Sequence, residues 1–278
     1  MKLYMLIGHP VEKSPSPAMH NAAFSHLGLE CVYVAADVPP QALEDAVGGI
    51  RALGVAGANV TIPHKVSVIP HIDELDESAE LAGAVNTLKN VGGKLKGFNT
   101  DGAGALRALK SRTQIRGKRV LLLGAGGAAR AIAFSLAIAG AELTIANRTI
   151  ARARALAEDI REKVGRAVEC VGLDERELTS RAMDADIIIN ATSVGMYPDS
   201  GRTLLTSGMI PRDAVVFDIV YKPAETRLLR EAKKAGASVI AGIEMLVQQG
   251  ALSFEIWTGK RAPIKVMRKA AEMELRRN

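Results

Sequence analysis

Three short stretches in the first hundred residues combine side chains suited to acid–base chemistry on a small anionic molecule. In Asn59-Val60-Thr61-Ile62-Pro63-His64-Lys65, a short apolar run meets a proline two residues before a lysine. Proline is favoured at the first position of a helix, so the spacing predicts a strand running into a helix with Lys65 in its first turn. The macrodipole disfavours a cation there, which makes the ammonium readier to part with a proton. Asn99-Thr100-Asp101-Gly102 opens a helical pattern running to Lys110, and the same dipole favours an ionised Asp101. If Asp101 faces Lys65, the two form a proton-handling pair beside a substrate hydroxyl. In Lys13-Ser14-Pro15-Ser16-Pro17 the prolines set the backbone at a helix start, where the hydroxyls of Ser14 and Ser16 make a seat for a carboxylate. Read alone, each stretch has a plain alternative: a solvated lysine, an N-cap aspartate, a capping serine. His64, one residue beyond Pro63, points elsewhere and is read as structural.

A fourth stretch has a different chemistry. Val120–Leu123 runs into Gly124-Ala125-Gly126-Gly127-Ala128-Ala129, in which Gly124, Gly126 and Ala129 match G-x-G-x-x-G/A. With a strand before it and a helix after it, this is a dinucleotide fingerprint. The first glycine makes the turn, the second admits the pyrophosphate and the small third residue lets helix and strand approach. The next strand ends in Asn147-Arg148-Thr149, with Arg152 one turn later and no carboxylate. A guanidinium there pairs with a ribose 2′-phosphate, whereas an acid would hold a 2′-hydroxyl, so the cofactor expected is NADP.

These groups need a scaffold. From Lys118 onward, apolar runs at Val120–Leu123, Leu143–Ala146, Val168–Val171, Asp186–Asn190, Val215–Ile219 and Ser238–Ala241 alternate with helical stretches. Continuous apolar runs suit strands buried on both faces of a parallel sheet, so a doubly wound Rossmann-type α/β domain is expected over 102–241. The first half alternates less regularly. Leu3–Gly8, Cys31–Ala36 and Ala58–Val60 read as strands, Pro17–Leu27 and Gln41–Leu53 as helices, and 86–90 with 94–98 as a hairpin. The expected second domain is an α/β substrate domain over 1–101, completed by C-terminal helices within 242–278.

At 278 residues with 48% apolar and 24% charged residues, the composition excludes a disordered tail or a fibre. No apolar run reaches the ~20 residues of a membrane span, and no signal peptide is read at Met1–Gly8. Cys31 and Cys170 have no metal-ligand or disulfide spacing, so no metal is expected and the protein is read as cytoplasmic. The net charge of +6 is dispersed and aromatics are 4%, which argues against nucleic acid and for a small anionic substrate or cofactor. The sequence leaves a homodimer open.

Together the motifs resemble the shikimate dehydrogenases, NADP-dependent oxidoreductases of aromatic amino-acid biosynthesis. The likeness runs from Met1 to the C-terminal helices. Besides the stretches above, Gly83-Ala84-Val85-Asn86-Thr87, Asn190-Ala191-Thr192-Ser193, Asp218 with Tyr221 and Pro223, and Met245-Leu246-Val247 with Gln249 carry it. The resemblance implies reversible reduction of 3-dehydroshikimate to shikimate, with the site in a cleft between two α/β domains. It implies Lys65 as proton donor and acceptor with Asp101 as partner, and Ser14 and Ser16 as the carboxylate seat. Thr61, Asn86, Tyr221 and Gln249 become further substrate contacts, with Asn59 nearby. Cofactor is implied on Gly124, Ala125, Gly126, Gly127 and Ala128, on Asn147, Arg148, Thr149 and Arg152, and near Thr192, Ile219 and Gly242. His9 and Phe98 depart from the residues common in the family. The competing readings are a broader quinate/shikimate dehydrogenase and a non-catalytic metabolite sensor, which could dispense with Lys65 and Asp101.

Overall fold

The computed structural model describes residues 1–277. The chain divides into two compact units, residues 1–104 with 247–278 and residues 105–246. In chain order the first elements are β1 (Lys2–Gly8), α1 (Ser16–His26), β2 (Cys31–Asp37), α2 (Leu43–Ala52), β3 (Gly57–Val60), β4 (Glu74–Leu75), α3 (Glu77–Ala82), β5 (Thr87–Val91), β6 (Lys94–Phe98) and α4 (Asp101–Lys110). Then come β7 (Arg119–Leu123), α5 (Gly127–Ile138), β8 (Glu142–Ala146), α6 (Ile150–Val164), β9 (Glu169–Val171), α7 (Glu175–Met183), β10 (Ile187–Asn190), β11 (Val215–Asp218), α8 (Arg227–Ala235) and β12 (Ser238–Ile240). Two helices close the chain, α9 (Gly242–Thr258) and α10 (Ile264–Arg277).

The second unit is built on a parallel sheet ordered β12-β11-β10-β7-β8-β9. Every residue of β10 and β11 is buried, which is why these strands read as unbroken apolar runs. Strand order reverses between β7 and β10, and the crevice beyond their carboxyl ends is where such sheets take ligands. Both the glycine loop after β7 and Ala191-Thr192 after β10 leave the sheet at that point.

The first unit carries a mixed sheet ordered β2-β1-β3-β5-β6-β4. β1 runs parallel to β2 and β3, whereas β5 pairs antiparallel with β3 and β6. The antiparallel hairpin sets Asn86 and Thr87 beside the end of β3, because Asn59 pairs with Thr87 and Val60 N–H donates to Asn86 O. α10 packs on α1 within this unit. No helix of the described residues is long and apolar enough to cross a membrane.

One local expectation is overturned. No α-helix follows β3: residues 62–68 form consecutive turns that end in a 3₁₀ turn at Ile69–His71. Pro70 has no N–H to give the carbonyl of Val66, and the carbonyl of Lys65 is taken by Val85 N–H at 2.7 Å. Lys65 therefore lies in a turn and not in the first turn of a helix.

An aromatic cluster joins α1, the sheet and α9 in the first unit. His20, fully buried, stacks on Tyr33 with centroids 4.5 Å apart and contacts Trp257, while Tyr4 bridges Phe24 and Trp257. Trp257 Nε1 donates to Leu88 O at 2.9 Å, which ties α9 to β5. Neither ring nitrogen of His20 has a partner among the described residues, and burial pushes its pKa down to about 3. The unfolded chain thus binds the extra proton between that value and 6.5, so stability falls as pH drops through this window. His20→Leu should remove roughly 2–3 kcal/mol of the stability lost between about pH 7 and about pH 4.5. Urea denaturation at the two pH values reads the difference; equal pH slopes in variant and parent would contradict it.

Candidate active site

In the first unit the structure brings Lys65, Asp101, Asn86 and Gln249 together. Lys65 Nζ donates to Asp101 Oδ2 at 2.5 Å; the lysine side chain is 22% exposed and the carboxylate 6%. Asp101 begins α4, and its backbone N–H is capped by Asn99 Oδ1 at 3.0 Å. Asn99 in turn donates to Ala84 O, so the aspartate is anchored from both sides of the loop.

Asn86 sets the direction of this cluster. Thr100 N–H, which can only donate, faces Asn86 Oδ1 at 2.8 Å. Asn86 Nδ2 must then point the other way, and it donates to Asp101 Oδ1 and Thr100 Oγ1, both at 2.9 Å. One carboxylate oxygen is held by the amide and the other is left for the lysine. Gln249 Oε1 reaches the same Nδ2 at 3.4 Å. Its approach depends on Gly104, where a Cβ would lie 2.8 Å from the backbone N of Gln249.

Asn59 is used differently from its neighbours. Its Oδ1 accepts from Tyr33 Oη at 2.9 Å, and its Nδ2 faces Asn86 O, Thr87 Oγ1 and Ser253 Oγ within 3.2 Å. The side chain is engaged at both ends inside the protein. His64 is also structural: it is buried, with Nε2 2.7 Å from Val38 O. Ser14 Oγ accepts from Ser16 N–H at 3.3 Å at the start of α1. His9 N–H donates to Ile62 O, tying the loop before these serines to the segment carrying Thr61.

Tyr33, Thr87 and Ser253 were not picked out as site residues by residue type or spacing. The one available signal was the spacing of Gln249 and Ser253, which puts both on one face of a helix.

In the second unit, Gly124 has φ +112°, and a Cβ there would lie 2.9 Å from Ala191 O and 3.1 Å from Thr192 Cγ2. α5 starts at Gly127 with Gly126 at its cap, and neither glycine has a neighbour where its Cβ would stand. An open cradle at a helix N-terminus fits a pyrophosphate. Asn147 Nδ2 donates to Thr149 O, shaping the turn from which the exposed Arg148 and Arg152 project. Thr192 is fixed through Asn190, whose Oδ1 accepts from both its N–H and its Oγ1. Asn190 in turn donates to the fully buried Asp218 at 2.9 Å. Burial raises the pKa of Asp218, opposed by hydrogen bonds from Thr226, Val220 and Asn190. Ile219 and Val220 follow it, and Gly242 packs against their carbonyls. Burial pushes the Tyr221 phenol up, which keeps its hydroxyl protonated. Among the described residues no cluster of His, Cys, Asp or Glu could hold a metal ion.

A doubly wound unit with an open glycine loop, joined to an α/β unit carrying a lysine–aspartate pair, defines a dinucleotide-dependent oxidoreductase. Three family profiles match: shikimate dehydrogenase substrate-binding domain over 6–88, shikimate/quinate 5-dehydrogenase over 107–220, and shikimate 5′-dehydrogenase C-terminal domain over 242–272. A shikimate dehydrogenase (NADP(+)) of Methanopyrus kandleri is 56% identical over 275 residues, covering 98% of this chain and 95% of its own. A crystal structure of a shikimate dehydrogenase in complex with NADP+ superposes with a TM-score of 0.94 at 47% identity, covering 99% of this chain and 96% of the other. The Thermus thermophilus shikimate 5-dehydrogenase in complex with NADP(H) and shikimate gives 0.90 at 41%, covering 99% of this chain and all of the other. The chain belongs to the shikimate dehydrogenase family.

Gly104→Ala tests the approach of α4 to Gln249. The added Cβ meets backbone, which cannot rotate away, so a loss of about 2 kcal/mol in urea denaturation is expected. A parent-like midpoint would show that the two segments part without cost.

Proposed function

We propose that this chain interconverts 3-dehydroshikimate and shikimate as an NADP-dependent dehydrogenase, with Lys65 as proton donor and acceptor. The observation carrying the reading is the 2.5 Å contact of Lys65 Nζ with Asp101 Oδ2 while Asn86 holds the other carboxylate oxygen. Reducing a ring ketone takes a hydride on carbon and a proton on oxygen. Bound NADPH supplies the hydride. The Lys65 ammonium gives its proton to the oxygen as negative charge builds there, and Asp101 keeps that ammonium aimed. In the reverse direction the neutral amine takes the hydroxyl proton. The partial exposure of Lys65 lets the proton return from water.

Ser14 and Ser16 seat the substrate carboxylate, and Thr61, Asn86, Tyr221 and Gln249 contact its hydroxyls. Asn59 supports this set from beneath, since both ends of its amide are occupied. Gly124, Ala125, Gly126, Gly127 and Ala128 would hold the pyrophosphate, and Arg148 and Arg152 the 2′-phosphate, on the turn shaped by Asn147 and Thr149. Thr192, Ile219 and Gly242 complete the cofactor contacts. Cys31 and Cys170 are free thiols, which supports a cytoplasmic setting. Light scattering distinguishes a monomer from the homodimer that the sequence leaves open.

Reduced-nicotinamide absorbance tests the reading directly. Shikimate with NADP⁺ should turn over, and Lys65→Met should lower kcat by roughly 10²–10⁴ with KM changed little. Quinate oxidation at comparable efficiency would replace this reading by a broad quinate/shikimate dehydrogenase. No turnover with either substrate, despite nucleotide binding, would sink it. In calorimetric titration, Arg148→Ala with Arg152→Ala should weaken NADP⁺ roughly 10–100-fold and leave NAD⁺ unaffected. Equal weakening of both would remove the 2′-phosphate role.

A further inference from the structure

Between β11 and α8 the chain makes a loop, residues 219–225, and Asp218 grips both of its ends. Asp218 is the last residue of β11 and is fully buried. At the near end Val220 N–H donates to Asp218 Oδ1 at 3.0 Å, turning the chain off the strand. At the far end the Thr226 hydroxyl donates to Oδ2 at 2.6 Å. Thr226 is itself fully buried and caps α8, accepting from Leu229 N–H at 3.3 Å. Asn190 Nδ2 shares Oδ1 at 2.9 Å. Three donors on one carboxylate favour its ionised form and oppose the burial that raises its pKa.

The bonds that would survive without the carboxylate show what it alone does. Asn190 keeps Thr192 N–H and Oγ1 on its Oδ1 and Val194 O on its Nδ2, so the Thr192 turn stays. Ile219 keeps its N–H on Asn190 O. Val220 N–H and the Thr226 hydroxyl, by contrast, keep no acceptor among the described residues. Two buried donors left unpaired open the loop toward water. The bond from Tyr197 N–H to Lys222 O, 3.1 Å, joins this loop to another loop rather than to the sheet. The segment so released carries Tyr221. Its side chain is partly buried, burial pushes its phenol up, and its hydroxyl has no partner among the described residues. An unpaired donor beyond the carboxyl end of a parallel strand stands where such sheets take ligands.

We propose that Asp218 is a positioning residue for the substrate: by holding Val220 N–H and the Thr226 hydroxyl it closes the β11–α8 loop and sets Tyr221 for its contact with a substrate hydroxyl. Asp218 touches no substrate and acts through the loop. The contact made by Tyr221 rests on the dehydrogenase reading, whereas the closure of the loop does not.

Hydrogen exchange read by mass spectrometry follows the closure without any ligand. The peptide 219–225 is compared with 127–138 of α5 in the parent, Asp218→Ala, Asp218→Ser and Asp218→Asn. Asp218→Ala should exchange 219–225 about tenfold faster, the worth of a hydrogen bond to a charged group, with α5 unchanged. Asp218→Ser still accepts from Val220 N–H but cannot reach Thr226; it should fall between, and it reads the effect should the alanine variant not fold. Asp218→Asn, whose amide oxygen keeps Val220 N–H and whose NH₂ faces Thr226 Oγ1, should stay near the parent. In the dehydrogenase assay, Asp218→Ala (or the serine variant in its place) and Tyr221→Phe should each raise the shikimate KM about fivefold, with kcat changed less. The double variant should do no more than either alone, because both act through one contact. The dissociation constant of NADP⁺, read by calorimetry, should hold in all of them. Parental exchange in both Asp218→Ala and Asp218→Ser overturns the proposal, as do additive effects on KM or an equal loss of NADP⁺ affinity, which would mean that the whole unit had loosened. A parent whose loop is protected but which fails to oxidise shikimate overturns the dehydrogenase reading alone.

Discussion

A side-chain amide has one donor end and one acceptor end, and a buried amide cannot choose between them freely. At Asn86 the choice is made by Thr100 N–H, a donor that belongs to the backbone and cannot reverse. The division of the Asp101 carboxylate between its partners depends on that contact. With Oδ1 committed to Thr100, Nδ2 is committed to Asp101 Oδ1, and Lys65 is left with Oδ2. A flipped amide would set a carbonyl oxygen against a carboxylate in a nearly water-free site, where an unmatched polar group is costly.

The sheet of the first unit exists, in this sense, to hold that amide. β5 pairs antiparallel with β3 and β6, which fixes Asn86 between the ends of two strands: Val60 N–H takes its carbonyl and Phe98 O takes its N–H. Below it the Tyr33, Asn59, Thr87 and Ser253 groups satisfy one another, and below those lies the aromatic packing of His20, Tyr33 and Trp257. The polar cluster is thus backed by an apolar layer that excludes water and keeps its hydrogen bonds strong.

The second unit uses another device. Its sheet is wholly parallel, and the open cradle there is formed by strand order and by backbone N–H groups at a helix start rather than by titratable side chains. Asp218 serves the loops there. Buried and triply hydrogen-bonded, it anchors Asn190 and through it Thr192.

Much of this was legible in the sequence. The parallel sheet showed in its unbroken apolar runs, because a strand buried on both faces has no polar side to display. The turn at Gly124 and the helix start at Gly127 could be read because backbone shape is a local property. Lys65, Asp101, Ser14 and Ser16 were recognisable by residue type and motif, although Lys65 was expected in a helix. A prolyl residue at 70 and a distant N–H at Val85 decided otherwise, and the second of these is a tertiary contact. Tyr33 had no such signal, Ser253 only its helical spacing from Gln249 and Thr87 only its place beside Asn86, since a buried hydroxyl looks like any other until its partners are known. Hydrogen-bond direction is set by which donors and acceptors face each other across 14 to 194 residues of sequence. Local pattern therefore determined which groups stand at the turns and helix starts of this protein, and only the tertiary structure decided which of them meet and which way each of them points.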